Sequence, residues 1–398
     1  MKYLFLLGCV LLCSVSKAQY QNDNIKFKTV YAEDLCNLLQ ANPGYLLLDV
    51  RSKGEYNDTS SYDNLNIGHF NNAINIDIRD LNKKVNDLRS YKNKPVFIYC
   101  SHSQRSRRAS TMLADSGFTK VFNINGGLTS FRIKDAEKVC ANLYIQSQLP
   151  FTYISPNRLA RNMSTENFYL IDLRTDSVCK GISKNTYSNA LGKFRNAVNI
   201  PFDLLVQNPR LVPSGRKIVL IDETGNQSVK AALLLHKKGV QNVYVLFNGM
   251  DMWISEMPEN DRPYWSANTP VHMINPYGFN SLMSTLKDPL ILDVRTKDEY
   301  NNQAKEYWKN IGKIKNSVNI PDKELNDSKI PAASDTPVII YSFSSDNDAY
   351  DAAQYLLSKG YNKVYVLTGG LFHLKWSAAN IKGRDYLNQW VVNVPVTK

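Results

Sequence analysis

Short apolar runs alternate along the chain with longer stretches in which apolar residues recur at helical spacing. In the first third of the chain, β-branched and aromatic runs predict strands at residues 45–50, 74–76, 96–99 and 121–124. Two of the intervening helices are predicted at residues 32–40 and 106–116. Strands that are apolar throughout are typical of parallel sheets buried on both faces, so the pattern predicts an α/β fold with helices on both sides of a mainly parallel sheet.

The same blocks of sequence return three times in the same order. The stretch YLLLDVRSKGEY around Asp49 returns as FYLIDLRTDSVC around Asp172 and as PLILDVRTKDEY around Asp293. These aspartates lie 123 and 121 residues apart, which fits independent domains and is too long for the repeats of a solenoid. The sequence therefore predicts three tandem domains, at residues 19–143, 150–262 and 265–392.

One loop of the first unit concentrates residues with chemical potential. Cys100 follows the apolar strand at 96–99 directly, and a helix is predicted from Ser106 onward. In such a turn, backbone N–H groups and the positive end of the helix dipole converge on one point and favour an anion. Arg105 and His102 would add positive charge, and the segment contains no acidic residue. We therefore expect Cys100 to ionise to a thiolate.

The loop resembles the active-site loop of the rhodanese (sulfurtransferase) family, in which a cysteine follows a strand and four residues separate it from an Arg-Ser pair that opens a helix. Through the repeated blocks, the resemblance covers nearly the whole chain after the amino-terminal segment. It implies three tandem rhodanese-like domains, and it implies that Cys100 carries a persulfide during catalysis. The residues that it implies for binding the anionic donor are Ser101, His102, Ser103, Gln104, Arg105 and Ser106.

Two details of the loop bear on this resemblance. The phosphatase relatives of the family have a loop one residue longer, so the four intervening residues favour sulfur transfer over phosphate chemistry. Ser103 stands where the family often has glycine, and we expect a strained backbone at this position. The alternative to catalysis is that Cys100 is a structural cysteine buried at the end of a strand.

The matching loops of the other two units lack the same groups. In the second unit, Asp222 and Gln227 stand at the positions of the cysteine and the arginine. In the third unit these residues are Ser342 and Asn347, and the nearby acidic residues are Asp346, Asp348 and Asp351. A carboxylate cannot carry a transferable sulfur, and an acidic mouth repels anions. We expect catalysis in the first unit alone, at residues 19–143, and assembly or partner binding by the other two.

Three other motifs are predicted to be structural. The Asp-Val-Arg motif at 49–51 closes a strand, and we expect it to cap the next helix and to pair Arg51 with Glu55. His69, in a Gly-His pair, is expected to pack and to form a hydrogen bond. The two glycines at 126–127 predict a turn into a helix, because no Lys-Ser/Thr pair follows them as in a phosphate-binding loop.

Residues 1–18 have the features of a secretory signal peptide: a lysine, an apolar stretch and a Ser-Lys-Ala cleavage site. A lipid anchor on Cys9 or Cys13 is the disfavoured alternative. We therefore expect a mature chain that begins at Gln19 and is exported, either to the periplasm or out of the cell. No later stretch reaches the ~20 apolar residues that a membrane span needs.

Composition narrows the functional classes. The chain is 43% hydrophobic and 21% charged, as in ordinary globular proteins, which argues against disorder and against a membrane protein. The formal net charge of +12 becomes +10 when Lys2 and Lys17 are removed with the signal segment. The basic residues are scattered among acidic ones, so we interpret the excess as favouring solubility and not nucleic-acid binding.

Four cysteines remain after the signal segment: Cys36, Cys100, Cys140 and Cys179. A catalytic Cys100 must stay reduced, which leaves an odd number for disulfides. Cys36 and Cys140, expected on the first and last helices of the first unit, are the favoured pair in an oxidising compartment. The spacing of Cys and His residues indicates no metal site.

The expected function is that of an exported sulfurtransferase. It would move a sulfane sulfur from thiosulfate, or a similar small anionic donor, to a thiol or cyanide through a Cys100 persulfide, without a cofactor. The alternative is a non-catalytic rhodanese-fold binding or scaffold protein, in which Cys100 is a redox-sensitive thiol and domains 2 and 3 bind a protein partner. A phosphatase is disfavoured by the length of the loop.

Overall fold

The computed structural model describes residues 23–134, 138–258, 262–327 and 330–395. The predicted signal segment, its two cysteines and the expected start of the mature chain lie outside these residues. Three α/β domains follow one another, and each has a five-stranded sheet. Within the described ranges, no helix is both long enough and apolar enough to cross a membrane.

Domain 1 comprises the elements up to residue 146. Its strands are β1 (Lys28–Val30), β2 (Leu46–Asp49), β3 (His69–Phe70), β4 (Ile74–Asn75), β5 (Val96–Tyr99), β6 (Val121–Ile124), β7 (Lys138–Cys140) and β8 (Leu143–Gln146). Its helices are α1 (Leu35–Ala41), α2 (Lys53–Tyr56), α3 (Leu81–Lys84), α4 (Gln104–Asp115) and α5 (Gly127–Ile133). Short 3-10 helices lie at Asp63–Leu65 and Val85–Tyr91.

Domain 2 follows the same plan. Its strands are β9 (Thr152–Ile154), β10 (Phe168–Asp172), β11 (Lys193–Phe194), β12 (Val198–Asn199), β13 (Lys217–Ile221), β14 (Val243–Leu246) and β15 (Trp265–Ser266). Its helices are α6 (Pro156–Asn162), α7 (Asp176–Cys179), α8 (Thr186–Ala190), α9 (Phe202–Gln207), α10 (Asn226–Lys237) and α11 (Gly249–Glu256).

Domain 3 repeats the plan a third time. Its strands are β16 (His272–Ile274), β17 (Leu290–Asp293), β18 (Lys313–Ile314), β19 (Val318–Asn319), β20 (Val338–Tyr341), β21 (Val364–Leu367) and β22 (Val391–Val392). Its helices are α12 (Pro276–Thr285), α13 (Lys297–Tyr300), α14 (Asn347–Ser358) and α15 (Gly370–Asn380).

The three five-stranded sheets share one strand order. It is β1-β6-β5-β2-β4 in domain 1, β9-β14-β13-β10-β12 in domain 2 and β16-β21-β20-β17-β19 in domain 3. The strand pairs within these sheets are parallel, which confirms the predicted fold class. All four residues of β5 are buried, as expected for a central strand covered by helices on both faces.

The predicted elements of domain 1 match the structure closely. The two strands predicted at 96–99 and 121–124 coincide with β5 and β6. Helix α4 begins at Gln104, two residues before the predicted start. The apolar periodicity begins only at Ser106, whereas the first turn of the helix is polar and therefore carries no hydrophobic signal.

Antiparallel pairs of short strands lie beside each main sheet. In domain 1, β8 pairs with β3 and β7, and β11 pairs with β15 in domain 2. Residues 144–146 therefore pack with domain 1, beyond its predicted end at residue 143, and residues 265–266, at the predicted start of domain 3, pack with domain 2. These strands are two to four residues long, which is too short for a hydrophobic period to be recognised in the sequence.

The domains pack against one another through apolar and polar contacts. One apolar cluster contains residues of domains 1 and 2 together with Trp376 of domain 3, and a second cluster joins domains 2 and 3. Tyr153 of domain 2 donates a hydrogen bond to the Asn66 carbonyl of domain 1, at 2.9 Å. Between domains 2 and 3, Thr186 donates to Asp351 at 2.6 Å.

Candidate active site

Cys100 occupies the carboxyl end of β5, the central strand of the domain 1 sheet. The chain then makes a short loop, and α4 begins at Gln104. Open α/β sheets bind ligands at this edge, beyond the carboxyl ends of their strands. The strand–loop–helix geometry predicted from the sequence is therefore the one observed.

The Cys100 side chain is buried and is not part of a disulfide. Its sulfur accepts a hydrogen bond from the backbone N–H of Ser103, with an N to Sγ distance of 3.1 Å. Ser103 adopts a φ of +82°, in the left-handed region that favours glycine. The strain predicted at this position is confirmed, and it turns the Ser103 amide toward the sulfur.

A glycine of α5 allows that helix to pack directly on the loop. A Cβ atom at Gly127 would lie 2.1 Å from the Cys100 carbonyl oxygen, so any residue other than glycine would clash with the loop here. The Leu128 N–H donates to that same oxygen at 3.0 Å, and the Thr129 N–H donates to the Ser101 oxygen at 3.1 Å. The two glycines at 126–127 therefore open a helix, as predicted, and this helix holds the Cys100 loop in place through these two hydrogen bonds.

Arg105 is bound by a carboxylate that lies outside the loop. Its guanidinium donates to both carboxylate oxygens of Glu55, at 2.6 Å each, and to Ser101 Oγ at 3.0 Å. Burial alone would raise the pKa of Glu55, but the hydrogen bonds and the charge of Arg105, with those of Ser52, lower it. The segment itself contains no acidic residue, as the sequence analysis states, but the folded chain brings the carboxylate of Glu55 from α2 onto Arg105.

Arg51 does not pair with Glu55, contrary to the prediction. Instead it binds Asp49 through Nε and Nη2, at 3.1 and 2.7 Å, and donates to the Gly68 carbonyl at 2.6 Å. Arg51 is fully buried, and these bonds to Asp49 and Gly68 hold its guanidinium away from Glu55, which pairs with Arg105 instead. The cap of α2 is also different: Ser52, rather than the Asp-Val-Arg motif, forms a capping box with Glu55.

The Asp-Arg pair recurs in the other two domains. Asp172 binds Arg174 at 2.6 Å, and Asp293 binds Arg295 at 2.6 Å, and all of these side chains are buried. Because the pair is present in domains without the cysteine, it supports the structural role predicted for this motif. His69 is also structural in its contacts, since it stacks on Tyr56 and its Nδ1 lies 2.8 Å from the Tyr56 carbonyl.

The other residues predicted to bind the donor differ in their surroundings. Ser106 is buried, and its hydroxyl donates to the Ser103 carbonyl at 3.1 Å, which tightens the first turn of α4. His102 and Gln104 are exposed to a cleft between the domains. Desolvation of the ring in the cleft, followed by the positive charge of Arg105, lowers the pKa of His102 to about 4. At neutral pH its ring is therefore uncharged and does not add the positive charge expected from the sequence.

The loop of domain 2 shows what this backbone binds. Asp222 stands at the position of Cys100, and its carboxylate accepts hydrogen bonds from the N–H groups of Gly225 and Gln227, both at 2.8 Å. Ser228 Oγ donates to the same group at 2.7 Å. Gly225, at φ +88°, is the counterpart of Ser103. The loop backbone thus encloses an acidic side chain in domain 2 and a cysteine sulfur in domain 1.

The loop of domain 3 is closed on itself and acidic. Ser342 donates its hydroxyl proton to the Ser344 carbonyl at 2.7 Å. Burial, followed by the nearby Asp348 charge, raises the pKa of both Asp322 and Asp346 to about 6. The predicted acidic mouth is therefore present and also includes Asp322, which the sequence analysis missed because it lies in a different segment.

Domain 3 contacts the Cys100 loop of domain 1. Trp376 of α15 donates from its indole N–H to the His102 carbonyl at 3.2 Å. The Asn380 side-chain oxygen accepts from Arg107 at 2.9 Å and from the Gly126 N–H at 3.2 Å. Arg107 is buried in these contacts, so it supports the interdomain contact and does not face the sulfur. Only the three-dimensional packing of the repeats could reveal these contacts.

The cysteines divide as predicted. Cys36 and Cys140 form a disulfide with a Cα to Cα distance of 5.6 Å, while Cys100 and Cys179 are free. Cys140 lies on β7 and not on a helix, contrary to expectation. Burial raises the pKa of Cys179 to about 12, so this thiol stays protonated at neutral pH. Among the described residues, no group of three or more His, Cys, Asp and Glu side chains is arranged to hold a metal.

Three parallel-sheet domains with one cysteine loop at the carboxyl edge of a central strand define the class of this protein. A family model described as the Rhodanese-like domain matches residues 32–134, 155–256 and 279–378. The chain belongs to the rhodanese-like family, and the predicted resemblance is confirmed.

Several known proteins are similar to parts of the chain. It is 31% identical over 109 residues to a tRNA uridine(34) hydroxylase of Buchnera aphidicola, a match that covers 26% of this chain and 31% of that protein. A tRNA uridine(34) hydroxylase of Cronobacter sakazakii is 30% identical over 128 residues, which cover 29% of this chain and 34% of that protein. The chain thus spans about a third of the length of these curated relatives.

Two solved structures are also similar. A crystal structure of thiosulfate sulfurtransferase from Pseudomonas aeruginosa is 16% identical, with a TM-score of 0.24, and the match covers 94% of this chain and 70% of that one. A rhodanese-related protein from Thermoplasma volcanium is 29% identical, with a TM-score of 0.23, over 28% of this chain and 94% of that one. At these TM-scores, neither structure carries an argument about activity.

Proposed function

We propose that this chain is an exported sulfurtransferase that moves sulfane sulfur through Cys100. One observation carries the proposal: the loop backbone that surrounds Cys100 holds an acidic group in domain 2. The N–H groups of Gly225 and Gln227 donate to Asp222, and the N–H of Ser103 donates to the Cys100 sulfur. Burial raises the pKa of Asp222, whereas the Ser228 hydroxyl and the N–H groups of Gln227 and Gly225 act in the opposite direction. Because hydrogen bonds from backbone N–H groups stabilise an anion, we expect the Ser103 N–H to favour the thiolate and the persulfide anion of Cys100.

The reaction has two steps that balance without an outside oxidant. The Cys100 thiolate attacks the outer sulfur of thiosulfate, forming a new S–S bond, while the bond to the sulfonate sulfur breaks and sulfite leaves with the electron pair. A thiolate or cyanide then attacks the outer sulfur of the Cys100 persulfide, and the Cys100 thiolate leaves. Because each step exchanges one bond to sulfur for another, the proposed transfer needs no cofactor.

We assign Arg105 the role of binding the negatively charged donor. It is 29% exposed in its side chain, so an anion in solvent can reach the guanidinium. Glu55 and Ser101 accept hydrogen bonds from three of its five N–H donors, and the Glu55 carboxylate also neutralises its charge, so an incoming anion competes with Glu55 for the guanidinium. If the donor replaces the Glu55 carboxylate on Arg105, the charge of the guanidinium remains paired with an anion throughout binding.

The export part of the proposal rests on two features. The first is the signal-like segment at residues 1–18. The second is the disulfide between Cys36 and Cys140, because such bonds persist mainly in oxidising compartments. Sequencing the amino terminus of the purified mature protein tests this part: we expect a start at or near Gln19, and an intact precursor in the cytoplasm would contradict it.

We do not extend tRNA modification to this chain. That activity belongs to the names of the curated relatives, of which only about a third of the length is matched. The competing hypothesis from another class is a rhodanese-fold binding protein, with Cys100 as a redox-sensitive thiol and domains 2 and 3 as binding modules. The two hypotheses differ in whether Cys100 accepts sulfur from a donor.

Intact mass spectrometry before and after treatment with thiosulfate separates these hypotheses. We expect a gain of one sulfur atom that cyanide removes. Cys100→Ser should abolish the gain, whereas Cys179→Ser is a matched control, because it changes a free cysteine whose pKa is raised by burial to about 12. If the protein gained no sulfur, or if the Cys100→Ser variant still gained one, the proposed transfer through Cys100 would be wrong and the hypothesis of a binding protein would be favoured.

A further inference from the structure

A cleft of about 470 Å³ lies where the three domains meet. Its walls come from all of them: His102 and Gln104 from domain 1, Asn248 and Asp251 from domain 2, and Phe372 and Trp376 from domain 3. This volume is within the range of sites that bind small molecules, about 300–1,000 Å³. The cleft therefore has the size of a ligand site and not that of a packing defect.

The cleft adjoins the loop that carries Cys100. His102 and Gln104, two and four residues after the cysteine, form part of its wall. The bond from Trp376 to the His102 carbonyl joins the domain 3 wall to the same loop. A neighbouring cavity of about 200 Å³ shares His102 and Asp251 with the cleft and extends it toward the inactive loop of domain 2. The cleft and the neighbouring cavity thus border the loop that carries Cys100, through the side chains of His102 and Gln104.

The charge of the cleft differs from that of the sulfur site. Asp251 contributes a carboxylate, and among the cleft-lining side chains of the described ranges the other ionisable groups are two histidines. Burial lowers the pKa of His373. Desolvation, followed by the charge of Arg105, lowers the pKa of His102 to about 4. Both rings are therefore neutral near pH 7. The ionisable side chains of the cleft therefore supply one negative charge, that of Asp251, beside the aromatic rings of Phe372 and Trp376.

Asp251 is held in place by two domains. Its Oδ1 atom accepts a hydrogen bond from the Tyr187 hydroxyl at 2.7 Å and another from the Ser345 hydroxyl of domain 3 at 2.9 Å. Burial and the Asp251 charge raise the pKa of Tyr187, so this hydroxyl remains a donor. A carboxylate fixed between domains and next to aromatic rings is a suitable partner for an organic cation.

We infer that this cleft binds the sulfur acceptor, and that the acceptor is a small thiol that carries a positively charged amino group. The inference rests on the proposed function and names the substrate of its second step. The ammonium group lies near Asp251 and the aromatic rings, while the thiolate of the same molecule attacks the outer sulfur of the Cys100 persulfide. The new S–S bond forms on the acceptor, and the Cys100 thiolate is released. An anionic donor is repelled from Asp251 and binds at Arg105 instead.

The test compares two acceptors of nearly equal size, cysteamine and 2-mercaptoethanol, in the wild type and in Asp251→Asn. The asparagine retains an oxygen for Tyr187 and Ser345 but removes the charge. We expect the ratio of kcat/KM for cysteamine to that for 2-mercaptoethanol to fall about tenfold in the variant. The difference in intrinsic reactivity between the two thiols is the same for both proteins, so it cancels when the ratio of the variant is compared with that of the wild type. Asp176→Asn, which removes an exposed carboxylate of domain 2 outside the cleft, should leave the ratio unchanged.

A second measurement keeps this inference separate from the proposed function. S-methylcysteamine has the ammonium group but cannot accept sulfur, and its binding to the full-length protein is measured by titration calorimetry. We expect Asp251→Asn to raise its Kd at least fivefold, whether or not thiosulfate loads Cys100. Equal binding by both proteins, or an unchanged acceptor ratio, overturns the acceptor site. Failure of Cys100 to gain sulfur from thiosulfate overturns the proposed function alone. Thermal midpoints confirm that each variant is folded.

Discussion

Arg105 and Glu55 form a two-contact ion pair, with both nitrogen to oxygen distances at 2.6 Å, across fifty residues of sequence. Glu55 is almost fully buried and also closes the capping box of α2 through Ser52. The first helix after β2 is therefore tied to the first turn of α4, directly after the Cys100 loop. The pair orients the guanidinium beside the loop and, at the same time, neutralises part of the charge that a donor would meet.

Replacing Glu55 with glutamine should strengthen donor binding. Glutamine can still complete the capping box, but it no longer competes as an anion for Arg105. We expect the KM for thiosulfate to fall about fivefold, with a smaller change in kcat, because an ion pair no longer has to be broken when the donor binds. Steady-state kinetics with thiosulfate as the varied substrate measures this.

Domain 3 offers a matched control for that variant. Glu299 closes the same capping box, with Thr296, but pairs with Lys309 in a domain whose sequence contains no cysteine. Glu299→Gln should therefore show the same small change in thermal midpoint and no change in KM. A rise in the KM of Glu55→Gln would mean that Glu55 positions Arg105 for the donor, and the competition argument would be wrong.

Most of the architecture could be predicted from the sequence, because it depends on local signals. The apolar runs of β5 and β6 are continuous and bounded by turns, so their ends coincide with the predicted ones. The apolar strand and the helical spacing after it predicted the strand–loop–helix turn, and the resemblance to a family that often has glycine at the position of Ser103 led us to expect strain there. Each of these features arises within about ten residues of chain.

The features that the sequence analysis missed depend on distant segments. Glu55 pairs with Arg105 because α2 and α4 begin at the same edge of the sheet, which no pattern within either segment reveals. The Trp376 contact with His102 depends on how three similar domains pack, over a separation of 274 residues. Repetition predicted three domains but contained no information about which surfaces would meet.

Replacing Cys100 with aspartate should give a stable but inactive protein. The substitution copies domain 2, where Asp222 is held by the backbone of the same loop and by Ser228. Ser106 occupies the position of Ser228, so a donor for the new carboxylate is already present. We expect no sulfur transfer and a thermal midpoint within about 2 °C of the wild type, measured by circular dichroism. A large loss of stability would show that the two loops are not equivalent binders of an acidic group.

Removing the indole N–H of Trp376 should slow the reaction catalysed in domain 1. Trp376→Phe keeps an aromatic side chain but loses the hydrogen bond to the His102 carbonyl. We expect kcat/KM to fall roughly fivefold, because the loop then depends on contacts within domain 1 for its position. Trp308→Phe changes an exposed tryptophan of the same domain and serves as the control. If both variants kept full activity, the later domains would be dispensable for the loop, and residues 19–143 alone should suffice.

The disulfide should stabilise domain 1 substantially. It joins α1 to β7 across 104 residues, and a crosslink that closes so long a loop removes much of the freedom of the unfolded chain. Replacing both Cys36 and Cys140 with serine should lower the free energy of unfolding by about 2–4 kcal/mol, measured by urea unfolding. Dithiothreitol should shift the wild type by a similar amount and leave the variant unchanged. Equal midpoints for all samples would show that the bond contributes little.

The stability of domain 3 should depend on pH through Lys375. This side chain is 5% exposed and donates from Nζ to the Ile311 carbonyl at 2.9 Å, at the position where domain 1 has Arg132 bound to Ile67. Burial, followed by the charge of Arg295, lowers the pKa of Lys375 to about 7. Below pH 7 the lysine is charged in both the folded and the unfolded chain, so the fold bears the full penalty of a buried charge. As pH rises from 7 toward 10.5, the folded protein releases this proton before the unfolded chain does, and stability rises.

Lys375→Met tests this dependence. We expect the methionine variant to be more stable than the wild type at pH 6, by on the order of 2 kcal/mol, because it buries no charge. The advantage should shrink as pH rises and vanish or reverse by pH 9.5, where neutral Lys375 keeps the hydrogen bond to Ile311 that methionine lacks. Lys238→Met, at an exposed site of domain 2, should give a difference from the wild type that does not vary with pH. A stability difference for Lys375→Met that is also constant between pH 6 and 9.5 would show that Lys375 does not change its protonation on folding, and the lowered pKa would be wrong.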